Sequence, residues 1–157
     1  ASQVAETTGM HHHTQLIFFS FIDIKKSSFN SFLKNIIVPN IIKSPISYKE
    51  TYNSAIEKDS SSQEKLIPVK DVKANILMIV GEDDLMWDSL AMANKIKEQN
   101  PKAKIYSYKG AGHIFAGNGI LNLGKIRVAT GGKIEGNEKS RSESRKTIDA
   151  FLKENHK

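Results

Sequence analysis

Cysteine is absent from all 157 residues. That excludes a disulfide framework, a thiolate metal site and a cysteine nucleophile within the chain, and it fits a reducing compartment. Long apolar runs are also missing. The longest, Leu16–Ile22, falls well short of the roughly 20 residues of a membrane span and lies between His11–His13 and Lys25–Lys26. No basic stretch precedes it and no small-residue cleavage pattern follows, so it does not read as a signal peptide. The final Asn155-His156-Lys157 is not a Ser-Lys-Leu type peroxisomal address. No Gly-x-Ser-x-Gly elbow, nor its cysteine variant, occurs anywhere. Gly117, Gly119 and Gly124 do not form a dinucleotide loop between a strand and a helix. The first residue is Ala1 rather than Met, which sets the expectation of a processed or partial product.

Hydrophobic residues make up 39% and charged residues 25% of the chain, the balance of a soluble globular protein rather than a disordered tail. The net charge is +6, but the lysines are scattered and not interleaved with aromatics. A nucleic-acid partner is therefore not expected. The charge reads as a solvated lysine-rich surface, with attraction of a polyanion as the alternative. His11-His12-His13 has no carboxylate or further histidine at ligand spacing and reads as an exposed polar run, so neither metal nor cofactor is expected.

Along the chain, Leu16–Ile22 reads as a strand buried on both faces, the kind found inside parallel sheets. Residues 25–65 are rich in Ser, Asn and Lys, broken by Pro39 and Pro45, and read as an irregular excursion with one short helix around Tyr48–Lys58. Ile76–Val80 is a second buried strand ending at Gly81. Asp88 or Ser89 can cap a helix that runs to Gln99 and stops at Asn100-Pro101. Lys104–Tyr108 is a third strand. Residues 114–134 are glycine-rich and poorly patterned. A last helix is expected over 137–155, with Ile148, Phe151 and Leu152 as its apolar stripe. Strand, helix, strand, helix in this order predicts an α/β fold, a mostly parallel sheet with covering helices.

Two loops carry the chemistry. Gly81-Glu82-Asp83-Asp84 follows one strand, and Gly112-His113 follows the next. Catalytic groups gather at the carboxyl ends of parallel strands. A carboxylate on one such loop can fix the tautomer of an imidazole on its neighbour, and the imidazole can then take the proton of a nucleophile. Acid before histidine is the order of an α/β-hydrolase triad. Trp87 serves either packing or the wall of a pocket.

The stretch Ile67-Pro68-Val69-Lys70-Asp71-Val72-Lys73, followed by Ile76-Leu77-Met78-Ile79-Val80-Gly81-Glu82-Asp83-Asp84-Leu85-Met86-Trp87-Asp88-Ser89, resembles the C-terminal catalytic region of the acyl-CoA thioesterase and bile acid-CoA:amino acid N-acyltransferase family. Ile105–Tyr108 with Gly110-Ala111-Gly112-His113 is similar to that family's next strand and histidine. Gly131-Gly132 and Thr147–Leu152 are similar to its tail. The similarity is densest over 66–113, and Ala1–Ile22 looks like the helix and strand that follow the family's nucleophile. The family's proline-aromatic segment after the histidine is replaced by Ile114–Ile120, and its N-terminal β-sandwich domain is not in the sequence.

The resemblance implies that residues 1–157 are the C-terminal part of an α/β-hydrolase catalytic domain. It implies His113 as the triad histidine and Asp84 as the acid, with Asp83 the alternative, and a nucleophile upstream of Ala1. The implied activity is hydrolysis of a fatty acyl-CoA, in an intracellular protein. The cytoplasm is the first expectation for its location, with mitochondria and peroxisomes left open. The alternatives are transfer of the acyl group to an amino acid, or an inactive truncated paralogue that binds acyl chains or a protein. Oligomeric state is not legible.

Overall fold

The computed structural model describes residues 28–62, 64 and 66–155. The expected strand Leu16–Ile22 and the His11–His13 run lie outside them. Within them the elements run α1 (Phe29–Phe32), a π-helical turn (Leu33–Ile37), α2 (Val38–Ile41), α3 (Lys49–Lys58), β1 (Leu77–Gly81), α4 (Ser89–Gln99), β2 (Lys104–Tyr108), β3 (Ile120–Leu123), β4 (Ile126–Ala129) and α5 (Ile134–Asn155). Among the described residues no helix is long and apolar enough to cross a membrane.

The segment expected to be irregular therefore holds more helix than its composition suggests. Phe29, Phe32, Leu33, Ile36 and Ile37 recur at helical spacing, and the Ser28 hydroxyl caps the start by accepting from the Ser31 N–H at 3.1 Å. Pro39 has no N–H to give a preceding carbonyl. The backbone meets it with the π turn, in which the Val38 N–H reaches back to the Leu33 carbonyl. Ser44 N–H then bonds the Pro39 carbonyl at 2.8 Å, and Lys43 sits at φ +58°, closing the helix with a left-handed residue. Ser28 N–H to Ser54 Oγ (3.0 Å) and Ser31 Oγ to the Glu50 carbonyl (3.1 Å) dock this helix on α3.

β1 and β2 pair in parallel, Leu77 opposite Lys104 through Gly81 opposite Tyr108, with α4 as the connection between them. The α4 bounds coincide with those expected, and the side chain of Asp88 caps it by accepting from Ala91 N–H at 3.2 Å. β1 lies one residue later than expected. Its burial is partial: Val80 and Gly81 are buried, while Leu77, Met78 and Ile79 are half-buried. β2 is more open still, with Tyr106 at 44% exposure. The expectation of strands covered on both faces is thus not met by the described residues.

Among the described residues the strand pairing is parallel only in part. The glycine-rich stretch expected to lack pattern contains an antiparallel hairpin, β3 and β4, pairing Ile120 with Ala129 and Leu123 with Ile126. Its two-residue turn is Gly124-Lys125, with Gly124 at φ +64°. The architecture is mixed α/β, with one small parallel and one small antiparallel sheet. Ile46, at 4% exposure, adds a bridge to β4 through Ile46 N–H to the Arg127 carbonyl and Ala129 N–H to the Ile46 carbonyl, each 2.8 Å.

α5 begins at Ile134, three residues before its expected start, and packs on both strands of the parallel pair. The deeply buried part of this helix is not the expected apolar stripe but the half that precedes it on the same side. Ile148 and Leu152 are 39% and 43% exposed, whereas Asn137, Ser140 and Ser144 are buried. Small residues bring the helix backbone close to the loop after β2: a Cβ on Gly136 would stand 2.2 Å from the Gly110 carbonyl oxygen. Larger apolar side chains on that face would push the helix away.

Candidate functional site

β1 delivers the chain to Asp84, which is 2% exposed. A buried carboxylate is costly unless its lone pairs are met, and four donors converge on this one. Met86 and Trp87 give backbone N–H groups to Oδ1 at 2.8 and 3.3 Å. Ser89 gives its hydroxyl to Oδ2 at 2.6 Å. Nδ1 of His113 stands 2.9 Å from the same Oδ2. Three of the four donors come from the five residues after Asp84, so the turn into α4 is itself the cradle for the carboxylate.

His113 is placed differently. Its backbone N–H bonds the Thr130 carbonyl at 2.7 Å, across the loop that follows β4. Its ring meets Trp87 edge-on, with centroids 4.3 Å apart and planes at 73°. The side chain is 20% exposed. With Nδ1 carrying a proton toward Asp84, Nε2 keeps its lone pair and can accept a proton from a reacting group. Among the described residues no hydrogen bond to Nε2 occurs.

The two loops are joined through a third, the one after β4, where backbones approach with no side chain between them. A Cβ on Gly112 would stand 2.0 Å from the Gly131 carbonyl oxygen. Gly131 has φ +82°, and a Cβ there would fall 1.8 Å from the carbonyl oxygen of Asp83. Both positions need glycine. Asn137, wholly buried in the first turn of α5, binds the same junction. Its Oδ1 accepts from Gly112 N–H at 2.8 Å, and its Nδ2 donates to the carbonyls of Gly117 (3.0 Å), Ala116 (3.3 Å) and Gly131 (3.4 Å).

Of the residues singled out from sequence, Asp84, His113 and Trp87 are brought together. Asp83 is exposed and engaged through its backbone, its N–H bonding the Ala111 carbonyl at 2.9 Å. Among the described residues no group of three or more His, Cys, Asp or Glu could hold a metal ion. Sequence reasoning missed Asn137 and the contact between Ser89 and Asp84. For Ser89 a signal existed, since a hydroxyl five residues beyond an acid at a helix start can reach back to it. For Asn137 none did: a lone asparagine in the first turn of a charged helix has no pattern.

Beside the acid loop lies an open cleft of about 530 Å³, bordered by Lys49, Asp83, Asp84, Asn118, Gly131 and Lys133 among others. His113 is not among its lining residues, so the cleft borders the acid loop and not the imidazole. The sequence profile of the family described as BAAT / Acyl-CoA thioester hydrolase C terminal matches residues 26–156. No curated protein matches the chain.

Proposed function

Because the chain belongs to the BAAT / Acyl-CoA thioester hydrolase C-terminal family, we propose that Asp84 and His113 are the acid and the histidine of a hydrolase triad acting on an acyl-CoA thioester. The observation that carries this reading is the 2.9 Å contact between Nδ1 of His113 and a carboxylate that is itself buried and fully hydrogen-bonded. The nucleophile is a serine or cysteine outside residues 1–157, since the chain has no elbow motif.

In this mechanism Nε2 of His113 takes the nucleophile's proton as its oxygen or sulfur attacks the thioester carbonyl. The imidazolium that forms is stabilised by Asp84. The C–S bond then breaks, CoA leaves as the thiol with the proton held by His113, and an acyl-enzyme remains. Water, deprotonated by the same Nε2, releases the fatty acid and restores the nucleophile.

The test uses the protein that contains both the nucleophile and this region. Asp84→Asn and His113→Ala should each lower thiol release from palmitoyl-CoA by on the order of a thousandfold, while Asp83→Asn leaves it nearly unchanged. Residues 1–157 by themselves should release no thiol above background. Release by this chain alone, abolished by changing one internal serine, would overturn the assignment.

A further inference from the structure

Ser89 occupies the first position of α4, yet it is not the helix cap. That task falls to Asp88, whose side chain accepts from Ala91 N–H. The Ser89 hydroxyl is turned instead to Asp84, 2.6 Å from Oδ2. That is the oxygen to which the imidazole also bonds, at 2.9 Å. The other oxygen, Oδ1, is occupied by the N–H groups of Met86 and Trp87. A carboxylate offers about four lone-pair sites, and here each has a donor. Remove the hydroxyl and Oδ2 keeps the imidazole alone. The carboxylate plane can then swing about the bonds to Oδ1, and the direction of the lone pair facing Nδ1 is no longer set.

We propose that Ser89 is a positioning residue for the Asp84–His113 pair: by sharing Oδ2 it fixes the plane of the carboxylate and so the aim of the imidazole. The proposal rests on the reading of Asp84 and His113 as triad members. Trp87, edge-on to the imidazole, limits the ring from another side, so the ring has a fixed orientation only while the carboxylate has one.

The experiment is nuclear magnetic resonance of the full chain with ¹⁵N-labelled histidine in mildly alkaline buffer. It reads the tautomer of His113 and the exchange of its Nδ1 proton with water. The unaltered chain should show the Nδ1–H tautomer with a slowly exchanging proton. Ser89→Ala should keep the tautomer but speed the exchange by on the order of tenfold, the loss expected for one hydrogen bond to a charged group. Ser89→Thr should restore the slow exchange. Alanine is a good helix former and the cap at Asp88 is untouched, so Ser89→Ala should fold. Ser89→Cys, a weaker donor of similar size, gives an intermediate rate and serves if the alanine variant does not fold.

Asp84→Asn separates the two claims. Two backbone N–H groups require an acceptor at the Oδ1 position, so the amide NH₂ would face His113 and force the Nε2–H tautomer. If that switch occurs but Ser89→Ala leaves the exchange unchanged, Ser89 is not a positioning residue, even should the melting temperature fall. If Asp84→Asn does not switch the tautomer, the pairing of Asp84 with His113 is itself wrong.

Discussion

The loop that carries Asp84 and the loop that carries His113 meet through their two side chains and through Asp83 N–H to the Ala111 carbonyl, yet they are held by different kinds of contact. The acid loop is local: Met86, Trp87 and Ser89 all turn back to Asp84 within five positions. Its outer side is tied to α3, where the Leu85 carbonyl accepts from Ser47 Oγ at 2.9 Å and from the N–H groups of Tyr48 and Lys49 at 3.1 Å each. The histidine loop is long-range. It depends on the Thr130 carbonyl and on Asn137, which lies 25 positions from Gly112. A local cradle forms with little loss of chain entropy, whereas a distant clasp forms only once the chain between has folded. The acid is therefore pre-set, and the imidazole is brought to it.

The largest effect should come where the loops touch through backbone. Gly131→Ala places a Cβ against the carbonyl of Asp83 at a left-handed φ and should cost more than about 3 kcal/mol in urea unfolding. A cost under about 1 kcal/mol would mean that the junction yields easily. Next is Asn137→Ala. It strips a buried site of one acceptor and the donor to three carbonyls, and should cost about 3 kcal/mol. Its sharper consequence is regional: hydrogen exchange should quicken at Gly112–Gly117 and stay slow at Met86 and Trp87. Equal quickening in both places would break the distinction between a local and a long-range loop.

Asp88→Ala approaches from the other side. It removes the cap of α4, should cost about 1 kcal/mol, and should quicken exchange at Ala91 without releasing the Gly112 amide. The smallest effect lies outside both loops and shows only at alkaline pH. Burial, and Tyr48 nearby, push the Tyr52 phenol up to about 12. The folded chain holds that proton more tightly than the unfolded one. The associated stability is whole below the ordinary tyrosine value of about 10 and is lost as pH rises from there toward 12. An absorbance titration in which Tyr52→Phe removes a phenolate transition near 12 checks this.

Much of this was legible without coordinates wherever the determining contacts are close in sequence. The apolar run Ile76–Val80, the Asp88 cap and the Asn100-Pro101 stop located β1 and α4 almost to the residue. The order of acid and histidine, each after a strand, pointed to the Gly81–Asp84 turn and His113, the resemblance favoured Asp84 with Asp83 as the alternative, and the parallel pairing of β1 with β2 brings those two strand ends together. The Gly124-Lys125 hairpin was missed because strands of four residues are too short to show alternation against a glycine-rich background. The helix at Phe29–Ile41 was missed because Pro39 and the surrounding Ser and Asn outweighed a real helical spacing.

What the sequence determined by itself is thus the local chemistry: a strand, a turn rich in acids, a capped helix, a second strand and a histidine, all specified by residues within one or two turns of each other. Tertiary structure decided that the imidazole meets Asp84 rather than Asp83, how far along α5 its face is buried, and that Asn137 clasps the histidine loop. Consecutive side chains on a turn diverge, and the neighbouring loop brings the imidazole to the one that the turn into α4 already cradles. A helix face is buried only along the length that meets a surface: the half with Asn137, Ser140 and Ser144 packs closely, while Ile148 and Leu152, further along the same face, stay partly exposed.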